Sequence, residues 1–176
     1  ALAAGCPVLF KPSEWAQGSA QIIAECIAPI LPSGIFQLLH GDGRVGAAMV
    51  EDKRTAAVSF TGGLPGGQAV ALACARQMKP AQLELGGSNP LVVLDDADLD
   101  QAADGVVAAM TSLNGQWCRA LGRLLVQEPV IDDLLEKVTQ RLAKLHIGSA
   151  MDPESDMGPM VHEGHRKHLQ QRIDAL

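Results

Sequence analysis

The sequence predicts an α/β fold: a half-domain on a nucleotide-type parallel sheet, followed by the start of a second α/β domain. Three observations carry this. Short apolar runs alternate with longer amphipathic ones, the short runs are continuously apolar, and the rhythm changes at the stretch QLELGG, Gln82 to Gly87. Strand and helix in alternation mark parallel βαβ units with right-handed crossovers. Continuously apolar strands are expected where both faces of a sheet are covered.

In chain order, PVLF (Pro7 to Phe10) reads as a buried strand, followed by a helix through SAQIIAECIAPIL. IFQLL (Ile35 to Leu39) is a second strand, with the short helix RVGAAMVED after it. AAVSF (Ala56 to Phe60) is a third, leading through a Gly-rich turn into the helix QAVALACARQM. Beyond QLELGG, PLVVL (Pro90 to Leu94) is a strand, and Asp98 is the expected N-cap of a helix through DLDQAADGVVAAMTSL, because a carboxylate suits that positive end. RLLVQ (Arg123 to Gln127) is another strand, and VIDDLLEKVTQRLAKL has the apolar spacing of an amphipathic helix. The domain boundary is expected at Gly86–Gly87, with residues 1–86 and 87–176 on its two sides.

Composition narrows the function. Of 176 residues, 14 are Lys or Arg and 20 are Asp or Glu, a net charge of −6, and only 3 Phe and 2 Trp represent the aromatics. An acidic chain with few aromatics lacks the basic clusters and stacking side chains of a nucleic-acid or membrane-surface binder. The longest uncharged stretch, between Arg54 and Arg76, is broken by Gly62, Gly63, Pro65, Gly66 and Gly67 and cannot span a bilayer as a helix. No signal peptide is read at the start. Four cysteines without a CxxC pair suit a reduced, cytoplasmic setting. The apolar opening at Ala1 and the helical run HRKHLQQRIDAL that stops at Leu176 lead us to expect an internal piece of a longer protein.

Five features could carry chemistry. Lys11-Pro12-Ser13-Glu14 follows the first strand, where ligands bind in open α/β sheets. Lys11 could donate to, and Glu14 accept from, vicinal ribose hydroxyls; the alternative is a solvated turn with Ser13 capping the helix. Gly62 to Gly67 lies between a strand and a helix, where glycines let a pyrophosphate approach backbone N–H groups; the alternative is an ordinary loop. Gly41-Asp42-Gly43-Arg44-Val45-Gly46 matches G-x-G-x-x-G but follows the second strand and lacks the expected acid downstream. It reads as a tight turn into a helix packed near a cofactor.

Asn114-Gly115-Gln116-Trp117-Cys118-Arg119 puts a cysteine in a Gly-containing loop with Arg119 and Arg123 close in the chain, a setting for a nucleophilic thiol. Cys6, Cys26 and Cys74 read instead as small buried apolar residues. Glu84, inside an apolar strand, is costly unless paired or used as a base. His162, His165 and His168 read as surface histidines rather than a zinc site, since HEGH is not HExxH. The acids Asp95, Asp96, Asp98 and Asp100 read as a helix start and lack the Gly and Glu of a calcium loop. No metal is expected.

In order along the chain, AGCPVLFKPSE, VSFTGG, LELGGSNPLVVLDDADLD, NGQWC and DPESDMGP resemble the aldehyde dehydrogenase superfamily over nearly the whole length. The spacing of Glu84 and Cys118 suits it too. The resemblance implies a Rossmann-like first half-domain, and that Cys118 attacks an aldehyde to form a thiohemiacetal. Hydride then passes to NAD, with NADP as the other option, and Glu84 activates water for hydrolysis of the thioester. It further implies cofactor contacts at Lys11, Ser13, Glu14, Gly43, Gly46, Gly62, Gly63, Gly67 and Leu85, and a homodimeric or homotetrameric full-length oligomer. Gly63 stands where the family most often has Ser, Ser88 where Lys is frequent, and Trp117 and Arg119 where smaller residues are common. The family's oxyanion Asn is expected upstream of Ala1. A second ribose-binding Glu and the oligomer-forming hairpin are expected downstream of Leu176, so this piece alone is expected to be inactive.

The reading that follows is a cysteine-dependent oxidation of an aldehyde to a carboxylic acid. One alternative is a CoA-acylating semialdehyde dehydrogenase, which needs no water-activating base, and Glu84 argues against it. Another is a non-catalytic nucleotide-binding relative, against which Cys118 and Glu84 stand together. A cysteine hydrolase would need a histidine in a comparable loop.

Overall fold

Strands pair two by two along the chain, the first with the second, the third with the fourth and the fifth with the sixth. The computed structural model describes residues 1–175. Its contacts divide the chain into two units, Ala1–Leu83 and Glu84–Leu176. The division thus falls inside the strand that precedes the Gly86–Gly87 pair, a little ahead of the expected boundary.

In the first unit, β1 (Val8–Phe10) runs parallel to β2 (Phe36–Leu38), with Val8 opposite Phe36 and Phe10 opposite Leu38. The helix α1 (Gln17–Ile27) connects them. A second helix, α2 (Gly43–Glu51), starts at Asp42, whose side chain accepts from Arg44 N. At the other end of α2, Lys79 Nζ donates to the carbonyls of Val50 and Asp52 at 2.7 and 2.6 Å. A cation there satisfies carbonyls that the helix leaves open and complements the negative end of its dipole. The strand β3 (Val58–Gly62), the helix α3 (Leu64–Arg76) and the strand β4 (Ala81–Leu85) follow.

The second unit has the denser core. Its strands β5 (Asn89–Val93) and β6 (Leu121–Val126) are parallel, with a register shift between Asn89 and Pro90. Proline lacks the N–H that a regular ladder needs at that point. The helices α4 (Leu99–Thr111) and α5 (Ile131–Leu142) cover one face, burying Val93, Ala103, Val106, Leu134 and Val138 together. As expected, Asp98 caps α4, accepting from the N–H groups of Asp100 and Gln101 at 3.0 and 3.1 Å. Lys137 and Arg141 on α5 reach Asp100 on α4 at 2.9 and 3.0 Å. The last helix is α6 (Glu163–Ile173). Leu176, the end of the helical run read from the sequence, lies outside the described residues.

Several expectations need correction. Apolar strands do not have both faces covered: Leu9, Val92 and Leu125 are exposed while their strand neighbours turn inward. A continuous apolar run does not encode which face a helix will cover. Only Cys74 of the three supposed core cysteines is buried; Cys6 and Cys26 are exposed. Ser13 caps no helix, since the N-cap of α1 is Ala16, and its Oγ accepts from Trp15 N at 3.3 Å in a local turn. Glu84 is exposed on β4, so the cost of a buried carboxylate does not arise. His162 caps α6, its ring accepting from His165 N, and His168 accepts from Arg172 Nε. No group of three metal-ligating side chains forms among the described residues. Nor is any helix among them long and apolar enough to cross a membrane.

Candidate functional site

The first unit gathers several of the candidate cofactor residues at the carboxyl ends of its first two strands. Lys11 follows β1, and its Nζ donates to Gly41 O, beyond β2, at 2.9 Å and to Pro12 O at 2.6 Å. Two of the three ammonium protons are thereby used. The methylenes of Lys11 pass over α2: a Cβ on Gly46 would meet Lys11 Cε at 3.3 Å. Gly46 therefore makes room for the lysine. Gly41 has φ +152, and a side chain there would collide with Val45, which explains the first glycine of the run. Gly43 opens α2 with free space beside it. Ser13 and Glu14 are exposed in the turn after Lys11.

The Gly-rich turn is shorter than expected. Gly62 ends β3, Gly63 is the N-cap of α3, and Gly66 and Gly67 already belong to that helix. Part of the glycine density has a packing cause: a Cβ would meet the ring of Phe60 at 2.6 Å from Gly62 and at 2.9 Å from Gly66. Gly67 is buried, and its N–H donates to Gly63 O at 3.0 Å, so it is not a free phosphate donor. Pro65 has no N–H. Leu64 and Gly66 supply the remaining first-turn N–H groups, on an exposed helix start where a Cβ on Gly63 would meet only Pro65 Cδ, at 3.8 Å. That end of α3 fits an anion by its donors and its dipole.

In the second unit, the loop carrying Cys118 is built from an abrupt helix end. After α4, Leu113, Asn114 and Gly115 take φ of +50, +58 and +69 in succession. The chain turns sharply and leaves Cys118 exposed just before β6. Side chains hold this turn from outside. Asn89 Nδ2 donates to Cys118 O at 2.8 Å and to Ala120 O at 3.0 Å. Asn114 Oδ1 accepts from Gly158 N at 3.0 Å, and Gln116 Oε1 from Val161 N at 3.2 Å. Gly158 of the motif DPESDMGP and Val161 just beyond it thus brace the cysteine loop. A Cβ on Gly87 would lie 3.6 Å from Cys118 O, so the chain leaving β4 passes beside the backbone of Cys118. Glu84 is three residues earlier, about 10 Å of extended chain at most. Leu85, at the end of β4, is half-buried. Trp117 and Arg119 stack across Cys118, the guanidinium carbon 5.1 Å from the indole centroid.

Sequence reasoning overlooked Asn89, Phe60 and the bracing roles of Asn114 and Gln116. An amide at a strand start beside a glycine pair was a usable signal for Asn89; the Phe60 contacts had none.

The aldehyde dehydrogenase family model matches residues 1–176. This chain belongs to the aldehyde dehydrogenase family. It is 39% identical over 170 residues to a betaine aldehyde dehydrogenase of Mesorhizobium japonicum, covering 96% of this chain and 35% of that protein. It is 38% identical to an NADP-dependent succinate-semialdehyde dehydrogenase of Escherichia coli, covering 100% of this chain and 37% of that one. It thus spans about a third of the length of these curated relatives. Among solved aldehyde dehydrogenases, the Staphylococcus aureus betaine aldehyde enzyme with NAD+ matches with a TM-score of 0.94 at 33% identity, over 98% of this chain and 35% of that one. A cysteine-to-alanine mutant from Pseudomonas syringae, solved with NAD+ and octanal, gives 0.94 at 32% identity, over 98% of this chain and 36% of that one. The family's fold is therefore shared by both units of this chain, each with the parallel strand pair described above.

Proposed function

We propose that the protein containing this chain oxidises an aldehyde to a carboxylic acid with NAD through Cys118. The observation that carries the reading is the exposed thiol of Cys118 on a turn clamped by Asn89, Asn114 and Gln116. A nucleophile must be open to substrate yet fixed in position, because misplacement by an ångström costs rate steeply.

Cys118 Sγ adds to the carbonyl carbon and forms a thiohemiacetal. NAD, when bound, would supply an acceptor for the hydride that leaves this carbon; the hydroxyl proton passes to water, and a thioester on Cys118 remains. Glu84 then takes a proton from water, the hydroxyl adds to the thioester, and the acid leaves with the thiol restored. Lys11 and Glu14 hold the cofactor's ribose, and the start of α3 holds a phosphate through backbone N–H groups. Glu14 favours NAD over NADP, since a carboxylate accepts from a 2′-hydroxyl and repels a 2′-phosphate. The relatives' names span a cationic and an anionic aldehyde, and either charge class is open to the protein on family membership alone.

The test is Glu84→Gln in the full-length enzyme. Loss of a general base costs roughly 10²–10⁴-fold, enough to make deacylation limiting. We expect a burst of NADH followed by slow turnover, partly rescued by added thiols. A wild-type enzyme that requires CoA, with Glu84→Gln unchanged, points to the acylating reaction instead.

A further inference from the structure

Arg119 is exposed, follows the nucleophile directly, and has its guanidinium carbon 5.1 Å from the centroid of the Trp117 ring. No carboxylate among the described residues pairs with it. The indole holds the guanidinium by cation–π attraction and reduces the freedom it would lose on binding a ligand. What remains open is the donor fork, which matches a carboxylate in two parallel hydrogen bonds. Arg123, whose Nε donates to Ser88 Oγ at 3.3 Å, adds a second positive charge nearby in the chain.

A quaternary ammonium aldehyde would need the opposite arrangement. Such cations bind on open aromatic faces. Here a face of Trp117, the residue before Cys118, is already covered by the chain's own cation, which also repels an incoming one. We propose that Arg119, held on the face of Trp117, selects aldehydes carrying a carboxylate remote from the reacting carbon. This rests on the aldehyde-oxidising reading above and assigns its substrate class.

The test compares 4-oxobutanoate, butanal and betaine aldehyde in the full-length enzyme at saturating NAD. We expect kcat/KM for 4-oxobutanoate to exceed that for butanal by roughly ten- to hundred-fold, the range of a charge-assisted hydrogen bond. Betaine aldehyde should be the poorest of the three. Arg119→Gln should shrink the ratio of 4-oxobutanoate to butanal by a similar factor, chiefly through KM, and Arg119→Lys should retain part of it. The proposal is overturned if wild type favours betaine aldehyde or butanal, or if Arg119→Gln lowers both uncharged and anionic substrates together. The wild-type ranking decides even where a variant fails to fold. Turnover of butanal without preference removes the charge selection and leaves aldehyde oxidation standing. Absence of turnover with every aldehyde removes both.

Discussion

Leu113 and Asn114 are the two residues at which the cysteine loop departs most from ordinary backbone. Both are left-handed without being glycine, which costs on the order of 1–3 kcal/mol each unless surrounding structure enforces it. The enforcement is visible atom by atom: Asn89 grips the carbonyls of Cys118 and Ala120, and Gly158 N and Val161 N hold the amides of Asn114 and Gln116. These bonds fix the backbone and leave Sγ out of the network. In the full-length enzyme, Cys118→Ala should therefore abolish turnover while leaving NAD affinity nearly unchanged. Fluorescence titration of wild type and variant should also show NAD bound more tightly than NADP. Substantial turnover in Cys118→Ala would refute the nucleophile, and tighter NADP binding would refute the role of Glu14.

Two helices start where an aspartate side chain closes backbone groups. Asp98 does this for α4 with two N–H groups, and Asp42 does it for α2 with one. The helix α4 matters to the site because its last turn runs directly into the cysteine loop, with Ser112 Oγ and Thr111 Oγ1 returning to the carbonyls of Ala108 and Val107. Asp98→Ala should cost about 1 kcal/mol of stability, the usual loss for a cap. Urea denaturation measures it, and an unchanged midpoint would show that the cap contributes nothing. Element boundaries shifted where packing intervened. The start of α3 moved back to Leu64 because Gly66 can lie in its first turn against Phe60.

On the scale of the whole chain, the second unit couples two helices through charge. Hydrogen bonds from Lys137 and then Arg141 hold the Asp100 carboxyl below its usual 3.8. A native value below the unfolded one means the stabilisation is present above pH 3.8 and is lost as pH falls through the native value. Asp100→Asn should lower the thermal midpoint at neutral pH, and the gap to the parent should narrow as pH falls below that range. Salt should narrow it too, because the Asp100 carboxylate is exposed. A gap that persists at low pH would assign the effect to packing rather than charge.

Element order, the cap at Asp98, the amphipathic α5 and the candidate residues Cys118 and Glu84 were legible in the sequence by itself. Each depends on residue type, local spacing or a motif read in register. The tertiary structure decided what holds those residues. The partners of the cysteine loop come from 29, 44 and 45 positions away, and no local pattern encodes which carbonyl an amide will reach once the chain closes. It also decided which strand faces are covered, and that part of the glycine density serves Phe60 rather than a phosphate. Those outcomes depend on side-chain volumes meeting across the fold, which periodicity along the chain does not record.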